Sequence, residues 1–371
     1  MEKHRRPASG RLSSSGLIWI GSVQYIQMPK VSICLPSLNT RQFLEERMET
    51  IFSQTVKDWE LIVCDGYSDD GSWEYIQDLA AREPRMRISQ TPRKGVYAAF
   101  NDCIQLARGE HVYIATSDDT MSPDFLEKML AALHENPDCG LCQCALVLID
   151  EKGVPYPAER QWNHYPLGAY DENLVSKKNK RLAPHDGILF PALFTIYTSV
   201  TQLLIRRTVF DRIGLFEGRW GSMGDYEWGM RAGLVENCIY IPEKLATWRL
   251  HPTQATQNVN TPGARLKMIE MARAAFGRAQ VCEERLKKID VEEVVYFLKR
   301  DFVELGYQAA NGKLPRLRFL LGQLIRRPHP TLDHLTERLQ RKTWGQSRCT
   351  NRYRRLSGLL KKYQVRSPVF Y

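Results

Sequence analysis

A chain of 371 residues, 43% hydrophobic and 25% charged, is ordinary for a globular protein and long enough for one large domain with a smaller one appended. No stretch reaches the ~18 to 20 consecutive apolar residues of a transmembrane helix, and nine cysteines without regular spacing, several of them inside apolar runs (Cys34, Cys64, Cys103), exclude a disulfide framework and suit a reducing compartment. The formal charge of +10 is unevenly spread: residues 261–371 hold 24 Lys and Arg against 10 Asp and Glu, a net of +14, which leaves 28 basic and 32 acidic residues, a net of −4, in residues 1–260.

The first 27 residues are basic and then apolar, but the piece Gly16–Ile26 is short and broken by Gly21, Ser22 and Gln24. It reads as a disordered leader or an over-long start. From Val31 strands and helices alternate, which is how a mostly parallel sheet is written. Val31–Pro36 is a strand, and Leu44, Met48, Ile51 and Phe52 lie on one face of the helix after it. Trp59–Asp65 is a second strand, followed by a polar turn, a helix near Ser72–Arg82 and a short strand at Met86–Ser89. Val96, Ala99, Phe100, Cys103 and Ala107 line the next helix, with Gly109 as its stop. A strand at His111–Thr116 and a helix opened by Pro123 come next.

Leu141–Ile149 is a further strand. Cys139, Cys142 and Cys144 lack a second Cys or His pair at zinc spacing, so they read as core. Residues 150–197 read as a long irregular segment, of the kind that is usually functional or disordered. Helices at Arg206–Ile213 and Asp225–Leu234 and strands at Cys238–Ile241 and Ala246–Leu250 complete a domain over residues 28–260. Past Pro262 the chain turns to basic helices interrupted at Gly312, Pro315, Pro328 and Pro330, a separate helical region over residues 261–371. Its excess charge suits an anionic membrane surface, a nucleic acid or simply a solvated helical surface.

Chemistry concentrates where strands end. Asp65 closes a strand beside Gly66, at the edge where open α/β sheets bind ligands; Asp69 and Asp70 behind it suit either a ligand or a helix cap. Pro92-Arg93-Lys94-Gly95 precedes a helix and favours a phosphate. Ser117-Asp118-Asp119 pairs two acids after a buried strand, a setting for Mg²⁺ or Mn²⁺ completed by water and phosphate oxygens. Asp225 and Glu227 open a helix among aromatics, where a carboxylate acts as a general base if it reaches a hydroxyl, although acids there also suit the helix dipole. His251, with Arg249, ends a strand, and a lone His is more often structural than a ligand.

In this order and at these separations, the signatures resemble the family 2 inverting glycosyltransferases with a GT-A fold. The likeness runs from Val31 to about Gln257. It rests on Pro36-Ser37-Leu38-Asn39, the Gln54-Thr55 turn before Trp59–Val63, and the Asp65 loop. It continues through Lys94-Gly95 with Asn101 and Gly109, Ser117-Asp118-Asp119, Arg206-Arg207 with Gly214-Leu215-Phe216-Glu217, the Asp225 motif, and Arg249 with His251. The resemblance implies an α/β, Rossmann-like, mostly parallel central sheet flanked by helices, with an α-helical C-terminal extension.

It also implies roles. Asp65 and Pro36, Ser37 and Asn39 hold the donor's nucleobase; Lys94 and Gly95 lie near its ribose or diphosphate; Ser117 and Asp118 complete the donor site. Asp118 binds Mn²⁺ or Mg²⁺ with His251 as a further ligand and Asp119 adjacent. Asp225 is the catalytic base and Glu227 the second choice. Two positions depart from the family: Thr116 stands where the first acid of the Asp-x-Asp element belongs, and Leu38 where an aromatic usually precedes Asn39.

The implied activity is metal-dependent, inverting transfer of a hexose-type sugar from a nucleotide sugar, a UDP-sugar being favoured, to a glycan or lipid-linked acceptor in surface polysaccharide biosynthesis. The enzyme would be cytoplasmic, peripheral at the inner face of the membrane through its basic tail, with nucleic acid the disfavoured partner. A sugar nucleotidyltransferase would need a glycine-rich loop after the first strand, and Pro36–Thr40 has no glycine. A degenerate domain carrying a nucleic-acid-binding tail, with Trp344, Tyr353 and Tyr363 among its cations, is countered by the joint presence of Asp118, Asp225 and His251.

Overall fold

Two apolar runs, Val31–Ser37 (β1) and Trp59–Asp65 (β2), are buried at every position, as strands covered on both faces of a parallel sheet are. They pair in register from Val31 opposite Trp59 to Ser37 opposite Asp65, so Ser37 and Asp65 finish side by side. The computed structural model describes residues 17–18, 26–157, 167–252, 254, 260–344 and 348–371. In it, Met86–Gln90 (β3), His111–Ile114 (β4), Cys139–Ile149 (β5), Asn179–Arg181 (β6), Leu203–Arg206 (β7), Asn237–Arg249 (β8) and Val369–Phe370 (β9) join the same sheet, in the order β9-β6-β8-β5-β7-β4-β1-β2-β3. Only β7, wedged between β4 and β5, and β6 run against the rest. Of the leader expected over residues 1–27, only Leu17–Ile18 and Ile26–Gln27 are described as strands, paired antiparallel in a ribbon of their own.

The longer helices are Arg41–Phe52 (α1), Ser72–Ala80 (α2), Val96–Leu106 (α3), Phe125–Glu135 (α4), His185–Leu193 (α5), Arg207–Ile213 (α6), Gly224–Val235 (α7), Pro262–Cys282 (α8), Tyr296–Ala309 (α9), Lys313–Arg326 (α10), Pro328–Trp344 (α11) and Arg348–Lys362 (α12). One face of the sheet is covered by α1, α2 and α4, with Leu44, Met48, Ile76, Phe125 and Met129 in its core. The other core takes Tyr97 and Phe100 from α3, Trp228 and Met230 from α7, and Met268, Met271 and Phe276 from α8. The change of composition near residue 260 is therefore not a gap in packing: α8, capped by Thr261 accepting from the Ala264 N–H at 3.1 Å with Pro262 in its first turn, shares its core with the sheet.

Two sequence readings change, and the cysteines of β5 are core as expected. β6 and α5 are regular structure inside residues 150–197. β8 is one strand where two were expected, its register shifting between Ile241 and Ala246 next to Pro242, which has no N–H for the ladder. Burial pushes the thiols of Cys139 and Cys144 up to about 12, so both are inert members of β5.

Candidate active site

The carboxyl ends of β1 and β2 are tied together by their own loops. Gly66 donates its N–H to the Ser37 carbonyl at 2.8 Å. Asn39, in the left-handed region at φ 53°, donates from Nδ2 to Asp69 Oδ1 at 2.8 Å and accepts the Asp69 N–H at 3.0 Å on Oδ1. Asp70 caps two helices at once, accepting the Arg41 and Ser72 N–H groups at 2.9 and 3.0 Å, which is the capping alternative rather than the ligand one. Asp65 is wholly buried and accepts the Ser68 N–H at 2.8 Å and the Ser68 hydroxyl at 2.6 Å, so its carboxylate orders the loop. Pro36 and Ser37 are buried at the end of β1, and Leu38, Asn39 and Tyr67 are exposed above them.

The loop after β3 joins this rim through Arg93, whose Nε donates to the Gly66 carbonyl at 2.7 Å and whose other donor reaches the Tyr67 carbonyl. Arg93 is thereby a structural tie, and Lys94 beside it stays exposed. Gly95, at φ 94°, turns the chain into α3 in a conformation that L side chains rarely adopt.

Beyond β4, the two adjacent acids diverge. Asp119 is 2% exposed, accepting the Thr116 hydroxyl at 2.5 Å and the Arg249 N–H at 2.7 Å, one on each oxygen. Burial, and next the Asp118 charge, push it up to about 7. Asp118 keeps a quarter of its side chain exposed and lies 3.0 Å from His251 Nε2; that hydrogen bond is the main cause of the raised pKa of His251. Arg249 clamps this corner, donating to the Asp118 carbonyl at 2.6 Å, to Glu46 Oε2 at 2.6 Å and to the Glu151 carbonyl at 3.1 Å. The end of β8 thus holds the loop after β4.

These side chains fit a divalent cation with two protein ligands. Asp118 keeps part of its carboxylate exposed with the largely buried His251 ring beside it, and Mg²⁺ or Mn²⁺ ordinarily takes one or two carboxylates and fills its other positions with water and phosphate oxygens. Asp119 does not fit as a third ligand, because both its oxygens are engaged in the interior. Among the described residues no three His, Cys, Asp or Glu side chains converge as a metal cage.

Asp225 lies in the first turn of α7. Tyr97, at the start of α3, donates its hydroxyl to Asp225 Oδ1 at 2.8 Å and has the Ser222 carbonyl as an alternative at 3.2 Å; the Tyr226 N–H also donates to Asp225 Oδ1, at 2.9 Å. A Cβ on Gly224 would stand 2.6 Å from the Tyr97 ring, so glycine is what lets the ring lie there. Burial raises the Asp225 pKa, against the Tyr97 hydrogen bond, which lowers it. Asn101, also on α3, exchanges two hydrogen bonds with the Phe216 backbone at 2.9 and 3.1 Å, fixing the segment that leads into α7. Glu227 is different: it is fully buried and paired with Arg231 at 2.9 Å, so it is removed from the set of bases.

Of the expected residues, the structure sets Asp118 beside His251 and leaves Asp225 half-buried, with Lys94 exposed on the neighbouring rim. Sequence reasoning missed Tyr97, Glu46 and the clamping role of Arg249. An aromatic two residues after Lys94-Gly95 was the only available signal for Tyr97.

Residues 32–200 match the family model described as Glycosyl transferase family 2. Over 128 residues the chain is 34% identical to EpsE of Bacillus subtilis (strain 168), which bears a glycosyltransferase name, and the match spans 34% of this chain and 46% of that protein. It is 32% identical over 111 residues to the chondroitin synthase of Escherichia coli, 30% of this chain and 16% of that one. The chain therefore spans less than half the length of these curated relatives. The solved structure of S. aureus TarS 1-349 in complex with UDP superposes with a TM-score of 0.57 at 14% identity, covering 90% of this chain and 91% of that one, a likeness of fold. With the sheet order and strand-end acids already described, the chain has a GT-A-like fold, and its residues 32–200 are similar to the family 2 glycosyltransferases.

Proposed function

We propose that this chain transfers a sugar from a nucleoside diphosphate sugar to a hydroxyl of a glycan or lipid-linked acceptor, with inversion at the anomeric carbon, in the cytoplasm and as a step of surface polysaccharide biosynthesis. The observation that carries the reading is Asp225, a half-buried carboxylate held by Tyr97, which follows by two residues the Lys94-Gly95 turn whose neighbour Arg93 is tied to the loop after β2. Asp225 takes the proton of the acceptor hydroxyl as that oxygen attacks the anomeric carbon from the face opposite the leaving diphosphate. Asp118 and His251 are the residues that would hold Mn²⁺ or Mg²⁺, and the cation when bound offsets charge on the departing diphosphate. Lys94 supplies a further positive charge there. The nucleobase lies against the rim of Ser37, Asn39 and the Asp65 loop. A UDP-sugar is favoured, in keeping with TarS, whose solved structures hold UDP and UDP-GlcNAc.

The test is thermal unfolding with UDP, GDP and dTDP, each with and without Mn²⁺. One nucleotide at ~100 times its Kd adds about 2.7 kcal/mol, and Asp118→Ala removes the metal-dependent part. Asp225→Asn keeps donor binding and loses transfer. Loss of both together sinks the base assignment, and no shift with any nucleotide sinks the donor site.

A further inference from the structure

Between Glu304 and Asp333 the chain has no acidic residue and five basic ones, Lys313, Arg316, Arg318, Arg326 and Arg327. Helix α10 fills the middle of this stretch. Its Leu314, Leu317, Leu321 and Ile325 are 61%, 54%, 53% and 85% exposed. Steps of three, four and four residues put them on one face, within an arc of about 80° at 3.6 residues per turn. Among the described residues that face is left exposed. The opposite side is the packed one: Phe319 and Leu320 join Phe302 and Val303 of α9, with the Phe319 ring seated against Gly306.

A single exposed leucine is ordinary on a protein surface, whereas four large aliphatics in one row mark a surface that meets something apolar. Charge selects the occupant. Lys313, Arg318 and Arg326 are all exposed around the row. A second copy of this chain would bring the same cations against them. An anionic lipid surface offers both complements at once, acyl chains for the row and phosphates for its border.

We propose that α10 lies in the headgroup layer of an anionic bilayer, with Leu314, Leu317, Leu321 and Ile325 entering the acyl boundary and Lys313, Arg318 and Arg326 at the level of the phosphates. Such anchoring would keep the enzyme near an acceptor carried on lipid. Binding is read without donor, acceptor or metal, so it stands or falls separately from the transferase reading.

The experiment is co-sedimentation of the full chain with vesicles of phosphatidylcholine alone or mixed with phosphatidylglycerol. The expected result is binding to the mixed vesicles that weakens with salt. The double variant L321Q/I325Q should bind about tenfold more weakly or worse with an unchanged unfolding midpoint, and K313Q/R318Q/R326Q should lose the preference for phosphatidylglycerol. Three results overturn the proposal: wild type left in the supernatant with both vesicles; L321Q/I325Q binding as tightly as wild type; or, in sedimentation velocity, a wild-type dimer that L321Q/I325Q dissociates, which would give the face to a second copy.

Discussion

Asp225 and Glu227 stand two residues apart in α7, and their surroundings give them opposite roles. Glu227 is closed in with Arg231, whose other donors reach the Ile213 and Leu215 carbonyls. Glu227→Gln leaves a buried guanidinium short of its counter-charge, and we expect a loss of about 3 to 5 kcal/mol in denaturant unfolding with kcat unchanged in the fraction that remains folded. Asp225 is half-buried beside Tyr97, and its raised pKa gives a signed prediction. Folding favours its protonated form, so the stability it contributes is present below its unfolded pKa and is lost as pH rises through the folded value. Asp225→Asn should therefore unfold at a higher temperature than wild type at neutral pH, with the difference closing in acid below about 3.9, the unfolded value. Tyr97 lowers that pKa by donating to the carboxylate; Tyr97→Phe should move the acid limb of the kcat/KM profile to higher pH. A purely structural role for Tyr97 would leave the limb in place while lowering stability alone.

The end of β8 works as a fastener for the loop after β4, and Arg249 is its main contact. A lysine there has no planar fork to reach Glu46 and the Asp118 and Glu151 carbonyls together. Arg249→Lys is expected to weaken metal-dependent nucleotide binding along with stability, read by the same thermal unfolding series, whereas retained nucleotide binding would make Arg249 a packing residue only. Much of this was legible beforehand: β1, β2 and β4 are unbroken apolar runs, and the acids follow their ends. What periodicity cannot give is which carboxylate oxygens stay available. Asp119 is engaged by an N–H 130 positions away and Asp225 by a hydroxyl 128 positions away, so neither pairing has a local signal. Asp65 is engaged by Ser68, three residues on, where the strand-end position alone reads as a ligand site. β6 escaped because Asn-Lys-Arg has no alternation to read; it is a strand by virtue of its pairing with β8.

Composition divides the chain near residue 260, and packing does not. Met268, Met271, Ala272, Ala275 and Phe276 of α8 lie in one core with Tyr97, Phe216 and Trp228, beside the turn that carries Asp225. A chain ending at residue 260 exposes that core, and we expect it to be insoluble or to bind a hydrophobic dye without a cooperative melt; a cooperative transition from residues 28–260 would show that this part folds alone. The sheet itself reaches past the helices, since Val369–Phe370 pairs with Lys180 and Asn179 at the outer rim of β6. That contact sets an order in time. While the ribosome is still making α8 to α12, β6 has an edge of unpaired N–H and C=O groups, and such an edge accepts any extended segment that reaches it. The strand that pairs with β6 is translated after the whole basic region, so between making Asp118 and Asp225 and covering that edge, any extended segment in reach has the same groups to pair with.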